Sequence, residues 1–360
     1  YAYLQATRDA LTGGEKPAAA RGRFAVVAHD AHPHGAQYLA INLCRELDRQ
    51  LGKPVEAVLL GEGVLEGEFR SAANVHMLTG GGGTAEAAQL ARALKAAGVD
   101  FAIANTTVSG VFAADLAKAG IEVVSLVHEL PGVIEQMNLR GHAQAIAGAA
   151  KRVVFAGEAV RDGFGQFASL APGQSLIRTQ GLYKRNRFQD AAAIAQARVQ
   201  LREKLGLPAD ARIILCVGYA DLRKGADLFV ELGERLVPSD QKLHLLWVGH
   251  PDLGLEPQLR ERIAKSGLAQ HVHFVGRDSD TDPYYAGSDL YALTSREDPF
   301  PTVIMEAFDV GLPVIAFRGA GGFDALLSRA GGRLVPHLDM AAYARTCKEL
   351  LQDEATRREL

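Results

Sequence analysis

Little in this chain could tie it to a metal, a membrane or a nucleic acid. It has three cysteines in 360 residues, Cys44, Cys216 and Cys347. That odd number, so widely spaced, offers neither a disulfide framework nor zinc-ligand spacing, and it fits a reducing compartment. No apolar run reaches the roughly 18 residues that a spanning helix needs. Basic charge is not in excess: Lys plus Arg number 39 against 42 acidic residues, for a net charge of −3. The basic face usual in nucleic-acid proteins is therefore not expected, and nor is a nucleic-acid partner. No signal-peptide pattern occurs within these residues. The expected location is cytoplasmic, which leaves room for a peripheral position at the inner face of a membrane. The chain starts at Tyr1 rather than Met and closes on a charged, helix-like stretch, DEATRREL. This suggests a piece of a longer polypeptide whose other modules would be partners.

What is present is an ordinary globular balance, 48% apolar and 22% charged, in a chain long enough for two domains. Short apolar runs alternate with Ala-rich amphipathic stretches. RFAVVAHD, VEAVLLGEG, FAIANT, IEVVSLVHE and KRVVFAG come first. ARIILCVGYA, HLLWVGH, VHFVGR, DLYALTS and PVIAFR follow. Continuous apolar strands separated by helices imply parallel sheets covered on both faces. RTQGLYKRNRF breaks the rhythm. The expected layout is an extension over 1–22, a Rossmann-like domain over 23–180, a linker over 181–188 and a second such domain over 189–360. Ligands of such sheets bind beyond the strand ends, so a cleft between the two domains is the expected site.

The segment SREDPFPTVIMEAFDVGLPVIAF (295–317) carries two acids around the start of a helix. Pro301 suits the first helical position, and Gly311 followed by Pro313 suits its end. A helix of about ten residues, roughly 15 Å long, is expected. Its N–H groups and dipole would favour a diphosphate. Arg223 and Lys224, at the loop-to-helix entry after ILCVG, would clamp the same diphosphate. Glu306 would accept hydrogen bonds from a ribose diol, and Asp298 would reach the sugar beyond the phosphates. Taken alone, these acids could equally be a cap and a solvated glutamate.

Three other stretches invite readings of their own. Asp278, Asp280 and Asp282 alternate like a metal motif. The glycine and glutamate of a calcium loop are missing, however, and Asp282 before Pro283 reads as a helix N-cap. HDAHPHG (29–35) clusters three histidines and is read as a sugar-lining loop, with a metal set as the alternative. The GGGG run at 80–83 reads as a loop before a helix capped by Thr84. No metal site and no cofactor are expected.

DPFPTVIMEAFDVGLPVIAF resembles the acidic element of the retaining glycosyltransferases of family 4: an acid, seven residues, Glu, a small-residue helix, Gly-x-Pro and an apolar strand. Asp298 stands where most members have Glu. Gly218, Lys224 and Gly225 match the family's Gly-Arg…Lys-Gly element, with Tyr219 in place of the Arg. VHFVG resembles the strand beside the nucleotide base, HGAQYLAINL the glycine-bearing loop after the first strand, and VHELPG the His-bearing loop. The resemblance covers residues 23 to 335. It implies an α/β protein of GT-B fold, two doubly wound Rossmann-like domains facing each other across a cleft, the first (23–180) on the acceptor side and the second (189–360) binding the nucleotide sugar. The implied activity is retaining transfer from a nucleotide-diphosphate sugar to a glycan or lipid-linked acceptor, as in bacterial polysaccharide assembly. Lys224, Arg223, Asp298 and His128 would be catalytic. Glu306, Phe300, Pro301, Thr302, Val303, Gly218, Gly276, Arg277 and Gly35 would bind the donor. His128 could face the donor sugar or be structural. A sugar-nucleotide epimerase of the same fold and a silent nucleotide- or glycan-binding module remain as alternatives.

Overall fold

The computed structural model describes residues 22–353, apart from Lys53, Tyr183, Ala330 and Gly331. The extension expected over 1–22 lies outside these residues save for Gly22, as does the charged end from residue 354 onward. The chain divides into two compact units between Tyr183 and Lys184. Both are α/β and doubly wound, as expected.

The first unit has seven parallel strands: β1 (Arg23–Ala28), β2 (Glu56–Leu59), β3 (Asn74–Met77), β4 (Val99–Asn105), β5 (Glu122–Val127), β6 (Arg152–Phe155) and β7 (Ser175–Ile177). Their order is β3-β2-β1-β4-β5-β6-β7. The chain winds outward from β1, returns, and winds the other way from β4, so the winding reverses between β1 and β4. Side chains alternate across a strand. Val26 and Ala28 of β1 therefore enter one apolar cluster with Leu39, Ile41 and Phe69. Ala25 and Val27 enter another with Phe112 and Leu116. Two buried faces explain the unbroken apolar runs.

The second unit repeats the plan with β8 (Arg212–Val217), β9 (Leu243–Val248), β10 (Val272–Gly276), β11 (Leu290–Leu293), β12 (Val314–Phe317) and β13 (Gly332–Val335). The order is β10-β9-β8-β11-β12-β13, all parallel, with the reversal between β8 and β11. Residues 184–189 are tied to this unit. Asp282 accepts hydrogen bonds from Lys184 Nζ at 3.0 Å and from the Arg187 N–H at 3.1 Å. Asp309 accepts from the Asn186 N–H at 2.7 Å.

Two local expectations need correction. The helix expected from Pro301 begins at Val303 and spans only Val303–Asp309, with Thr302 ahead of it making no side-chain cap. Phe300 and Pro301 are buried as the approach to the helix. Asp282 is not an N-cap; it lies inside the helix Asp282–Gly287, and its carboxylate goes to the linker cations instead. Thr84 does cap the helix Ala85–Ala96, accepting from the Ala87 N–H at 3.1 Å. Among the described residues no helix is long and apolar enough to cross a membrane.

Candidate functional site

The carboxyl ends of β8 and β11 flank the reversal in the second unit, the position where open α/β sheets bind ligands. The loop after β8 carries Gly218 to Gly225, and the stretch after β11 carries Thr294 to Thr302. The two are laced together. Thr294 Oγ1 donates to the carbonyls of Gly225 (3.0 Å) and Lys224 (3.2 Å). Gly225 sits at φ 76°, and a Cβ there would lie 2.0 Å from the Thr294 carbonyl oxygen. Only glycine fits, so Gly225 is a steric requirement of this loop.

The lacing brings Lys224 onto Asp298. Lys224 Nζ and the Asp298 carboxylate form an ion pair; Asp298 is buried and the lysine largely so. Ser295 Oγ also donates to Asp298, at 3.3 Å. The Asp298 N–H donates to the Ala320 carbonyl at 2.7 Å, and its own carbonyl packs on Gly321 so closely that a Cβ there would approach to 1.6 Å. The Lys224 N–H donates to Asp221 Oδ1 at 2.6 Å. Arg223 donates to the Glu297 carbonyl at 3.0 Å, so part of its fork is spent holding the acidic segment. Arg296 pairs with Asp227 through two bonds of 2.7 Å.

Glu306 is half-buried in the helix Val303–Asp309. Burial pushes its carboxyl above the ordinary range, partly offset by the Tyr285 hydroxyl nearby. That hydroxyl is fully buried and closes no hydrogen bond of ordinary geometry among the described residues. In the first turn the N–H groups of Ile304, Met305 and Glu306 already bond to Pro301 and Thr302 carbonyls. The backbone donors expected for a diphosphate there therefore narrow to Thr302 and Val303. Gly218 (φ 146°) and Gly276 (φ 83°) lie where the strands end, joined through Gly249, whose N–H donates to Gly276. Arg277 is exposed beside Gly276. Tyr219, in place of an arginine, is 40% exposed and donates its hydroxyl to Asp252.

In the first unit the reversal lies between β1 and β4, and a separate polar cluster occupies it. Asn105 Nδ2 donates to the Ala36 carbonyl at 2.8 Å, which orients the amide and leaves Oδ1 to accept from His128 Nε2 at 2.9 Å. His128 Nδ1 then takes a hydrogen bond from Gln180 Nε2 at 3.1 Å. Burial holds this imidazole below its ordinary pKa, and both ring nitrogens are engaged within the unit. Glu129 Oε2 accepts from Thr107 Oγ1 (2.7 Å), the Thr107 N–H (3.0 Å) and the His128 N–H (3.2 Å). Gly35 opens the helix Gly35–Leu51 with free space around it. Asn105 therefore links His128 to Ala36, the neighbour of Gly35 in the first turn of that helix. Asn105, Thr106, Gln37 and Gln180 were not named from the sequence: short polar residues at strand ends carry no pattern.

Asp278 and Asp280, the tempting acidic run, hold Lys204 (2.7 Å) and Arg187. Among the described residues no group of three or more His, Cys, Asp or Glu is placed to hold a metal ion. All three cysteines are buried and free, and burial raises each thiol far above its ordinary pKa, Cys44 and Cys216 to about 12.

Residues 198–360 match the family model described as Glycosyl transferases group 1. The matched segment contains Lys224, Asp298 and Glu306. Over 162 residues the chain is 29% identical to a lipopolysaccharide core biosynthesis mannosyltransferase, LpsB, of Rhizobium meliloti (strain 1021), covering 43% of this chain and 46% of that one. A D-inositol 3-phosphate glycosyltransferase of Xylanimonas cellulosilytica is 32% identical over 168 residues, 46% of this chain and 40% of that one. The chain spans less than half the length of these curated relatives. A crystal structure of Anabaena HepE in complex with UDP and glucose superposes with a TM-score of 0.80 at 20% identity, over 94% of this chain and 92% of that one. The fold is GT-B.

Proposed function

We propose that the chain is a retaining glycosyltransferase that moves a sugar from a nucleotide-diphosphate sugar to a glycan or lipid-linked acceptor in polysaccharide or lipopolysaccharide assembly. The observation that carries this reading is the buried Lys224–Asp298 pair at the strand reversal of the matched segment. In such a site chemistry needs a stabilised leaving diphosphate and a positioned acceptor more than it needs a protein nucleophile. Lys224 Nζ and the unspent donors of Arg223 supply positive charge where the diphosphate would lie. Asp298 is committed to Lys224, so it serves to orient the amine rather than to attack carbon. With attack and departure on one face, the leaving diphosphate takes the acceptor's proton.

The half-buried Glu306 is the ribose ligand of this reading. HepE was crystallised with UDP, and the relatives' names span lipopolysaccharide core and D-inositol 3-phosphate. A uridine-linked donor is therefore the first to test, and the acceptor stays open between those chemistries. We take the reaction to be metal-independent, because the cations facing the diphosphate are protein side chains. A second reading, a silent nucleotide-binding module, is favoured by Tyr219, which turns to Asp252 and leaves the clamp one cation short.

The test is turnover of a panel of nucleotide sugars, with and without acceptor and with excess EDTA. Donor hydrolysis that persists in EDTA supports the transferase. Binding without any turnover would establish the silent module, and rescue of activity by magnesium or manganese alone would overturn metal independence. Glu306→Ala should weaken UDP binding by about 1.5–3 kcal/mol, the worth of a hydrogen bond to a charged group. Unchanged affinity by calorimetry would remove Glu306 from the site.

A further inference from the structure

The helix that carries Glu306 is too short to fix its own place. It has seven residues, about 10 Å of length, and Thr302 ahead of it gives no side-chain cap. A helix of two turns has little stability alone, so its position comes from what it is tied to. Ile304 and Ala307 are buried in the core. A second tie is Asp309, three residues after Glu306 and so beside it on the helix surface. The Asp309 side chain is only 5% exposed, and both of its oxygens are taken by residues 185–189. Arg185 Nε lies 2.6 Å from one oxygen. The other accepts from the Asn186 N–H at 2.7 Å and from Gln189 Nε2 at 3.1 Å.

The same stretch also grips the neighbouring helix Asp282–Gly287. The buried Asp282 carboxylate accepts from Lys184 Nζ and the Arg187 N–H, and its carbonyl accepts from Asn186 Nδ2 at 3.0 Å. Asn186 thus bonds to both helices at once. Phe188 is buried against Ala286 of one helix and Val310, just past the end of the other. Residues 184–189 are therefore a brace across two short helices. Those helices carry Tyr285 and Glu306, whose side chains face each other. Glu306 senses the brace electrostatically: burial raises its pKa most, the Tyr285 hydroxyl lowers it, Asp282 raises it and Lys184 lowers it.

We propose that Asp309 is a positioning residue for donor recognition: held by residues 185–189, it sets the place from which Glu306 takes the ribose hydroxyls. This rests on the assignment of Glu306 to the ribose. Asp309 touches no ligand itself, because its oxygens are occupied by Arg185, Asn186 and Gln189. Its effect passes along one turn of helix. A carboxylate that accepts from neighbouring hydroxyls must be placed closely, and a misplacement of about 1 Å is enough to lose their contribution. Without the Asp309 charge the helix can shift while Ile304 and Ala307 keep it on the sheet. The brace therefore governs preference for ribose over deoxyribose rather than nucleotide binding as a whole.

The experiment titrates the full chain with UDP and with 2′-deoxy-UDP by calorimetry. The wild type should prefer UDP by roughly tenfold to a hundredfold, as expected for hydrogen bonds to a charged group. Asp309→Asn keeps the shape and removes the charge. It should cut that preference at least about threefold by weakening UDP alone. Arg185→Ala removes an exposed side chain, so it tests the same brace even where Asp309→Asn does not fold. It should move the preference the same way, and Arg185→Lys should keep most of it. Equal weakening of both nucleotides in these variants would mean that the brace is merely structural, and an unmoved preference would also overturn the proposal. Either result leaves the Glu306 assignment standing. A wild type that binds both nucleotides equally removes Glu306 from the ribose, and this inference falls with it. Where UDP does not bind, ADP with dADP and GDP with dGDP are titrated in the same way. Binding of none of them overturns both readings.

Discussion

Lys224 and Asp298 test each other. Each is the other's main countercharge, and Asp298 is buried. Removing the amine therefore leaves an uncompensated buried carboxylate, which costs more than the pair contributes. Lys224→Ala should destabilise the fold by about 3 kcal/mol, measured by urea unfolding. Asp298→Asn added to it should recover most of that loss, while turnover stays collapsed in both. If the double variant is no more stable than the single one, the pair is not what fixes this loop. Thr106 predicts the opposite sign. Glycine adopts its backbone angles freely, so Thr106→Gly should relieve strain worth about 1–3 kcal/mol against about 0.5–1 kcal/mol of added chain entropy. A net gain of about 1 kcal/mol is expected in chemical unfolding, since Thr106 stands at φ 73°, ψ 158°. A clear loss of stability would mean that Thr106 is packing material rather than a strained residue.

Strands β9 and β10 carry a histidine stack that no motif announced. His244 stacks on His271 at 5.2 Å and on His273 at 5.5 Å, and its Nδ1 faces His273 Nε2 at 3.2 Å. Burial, with help from His273, His271 and Arg202, lowers its pKa to about 4. The fold thus favours the neutral ring. This contribution is complete above the unfolded value near 6.5 and is lost as pH falls from there toward 4, up to about 3 kcal/mol. The paired carboxylates Asp278 and Asp280 have lowered pKa values, so their loss comes at lower pH. His244→Phe should make the fall of Tm between about pH 6.5 and pH 4.5 shallower. Some slope should remain, because His128 and His273 are lowered as well. A curve unchanged by the substitution would mean that the stack does not govern acid sensitivity.

The same two strands show what the sequence made legible. β9 is marked because it is buried throughout, and β10, an edge strand with half-buried residues, because its Val-His-Phe-Val run is still apolar enough to read. The three strands left unnamed, β3, β7 and β13, are the other three edge strands, of three or four residues each with a polar or glycine residue in the run, and there that mark fades. The acidic element was readable as a pattern, and Asp298 does meet Lys224. The start of the helix was not, because Pro301 suits a first turn and an extended approach equally well. Asp282 before Pro283 looked like a cap, since nothing in a local pattern shows a lysine 98 residues earlier. The strain at Thr106 was invisible for the same reason: a threonine carries no sign of the angles its neighbours impose.

Each unit has its own sheet and its own buried apolar residues, and each gathers polar side chains at its own strand reversal. A chain built this way need not unfold as one. Calorimetry should resolve two transitions, and each ligand should move only the transition of the unit that holds it. If the proposed function is right, UDP acts through Lys224, Arg223 and Glu306 and should raise the one belonging to Lys184 onward. At one hundred times its dissociation constant the gain is about 2.7 kcal/mol. The transition of the first unit should not move with UDP. Assignment follows from Phe229→Ala and Phe112→Ala, each of which empties a fully buried ring site in one unit and lowers one transition by about 3–5 kcal/mol. A single transition whose calorimetric and van't Hoff enthalpies agree, raised as a whole by UDP, would show that the chain unfolds as one cooperative body. The two sites would then be energetically linked rather than separate.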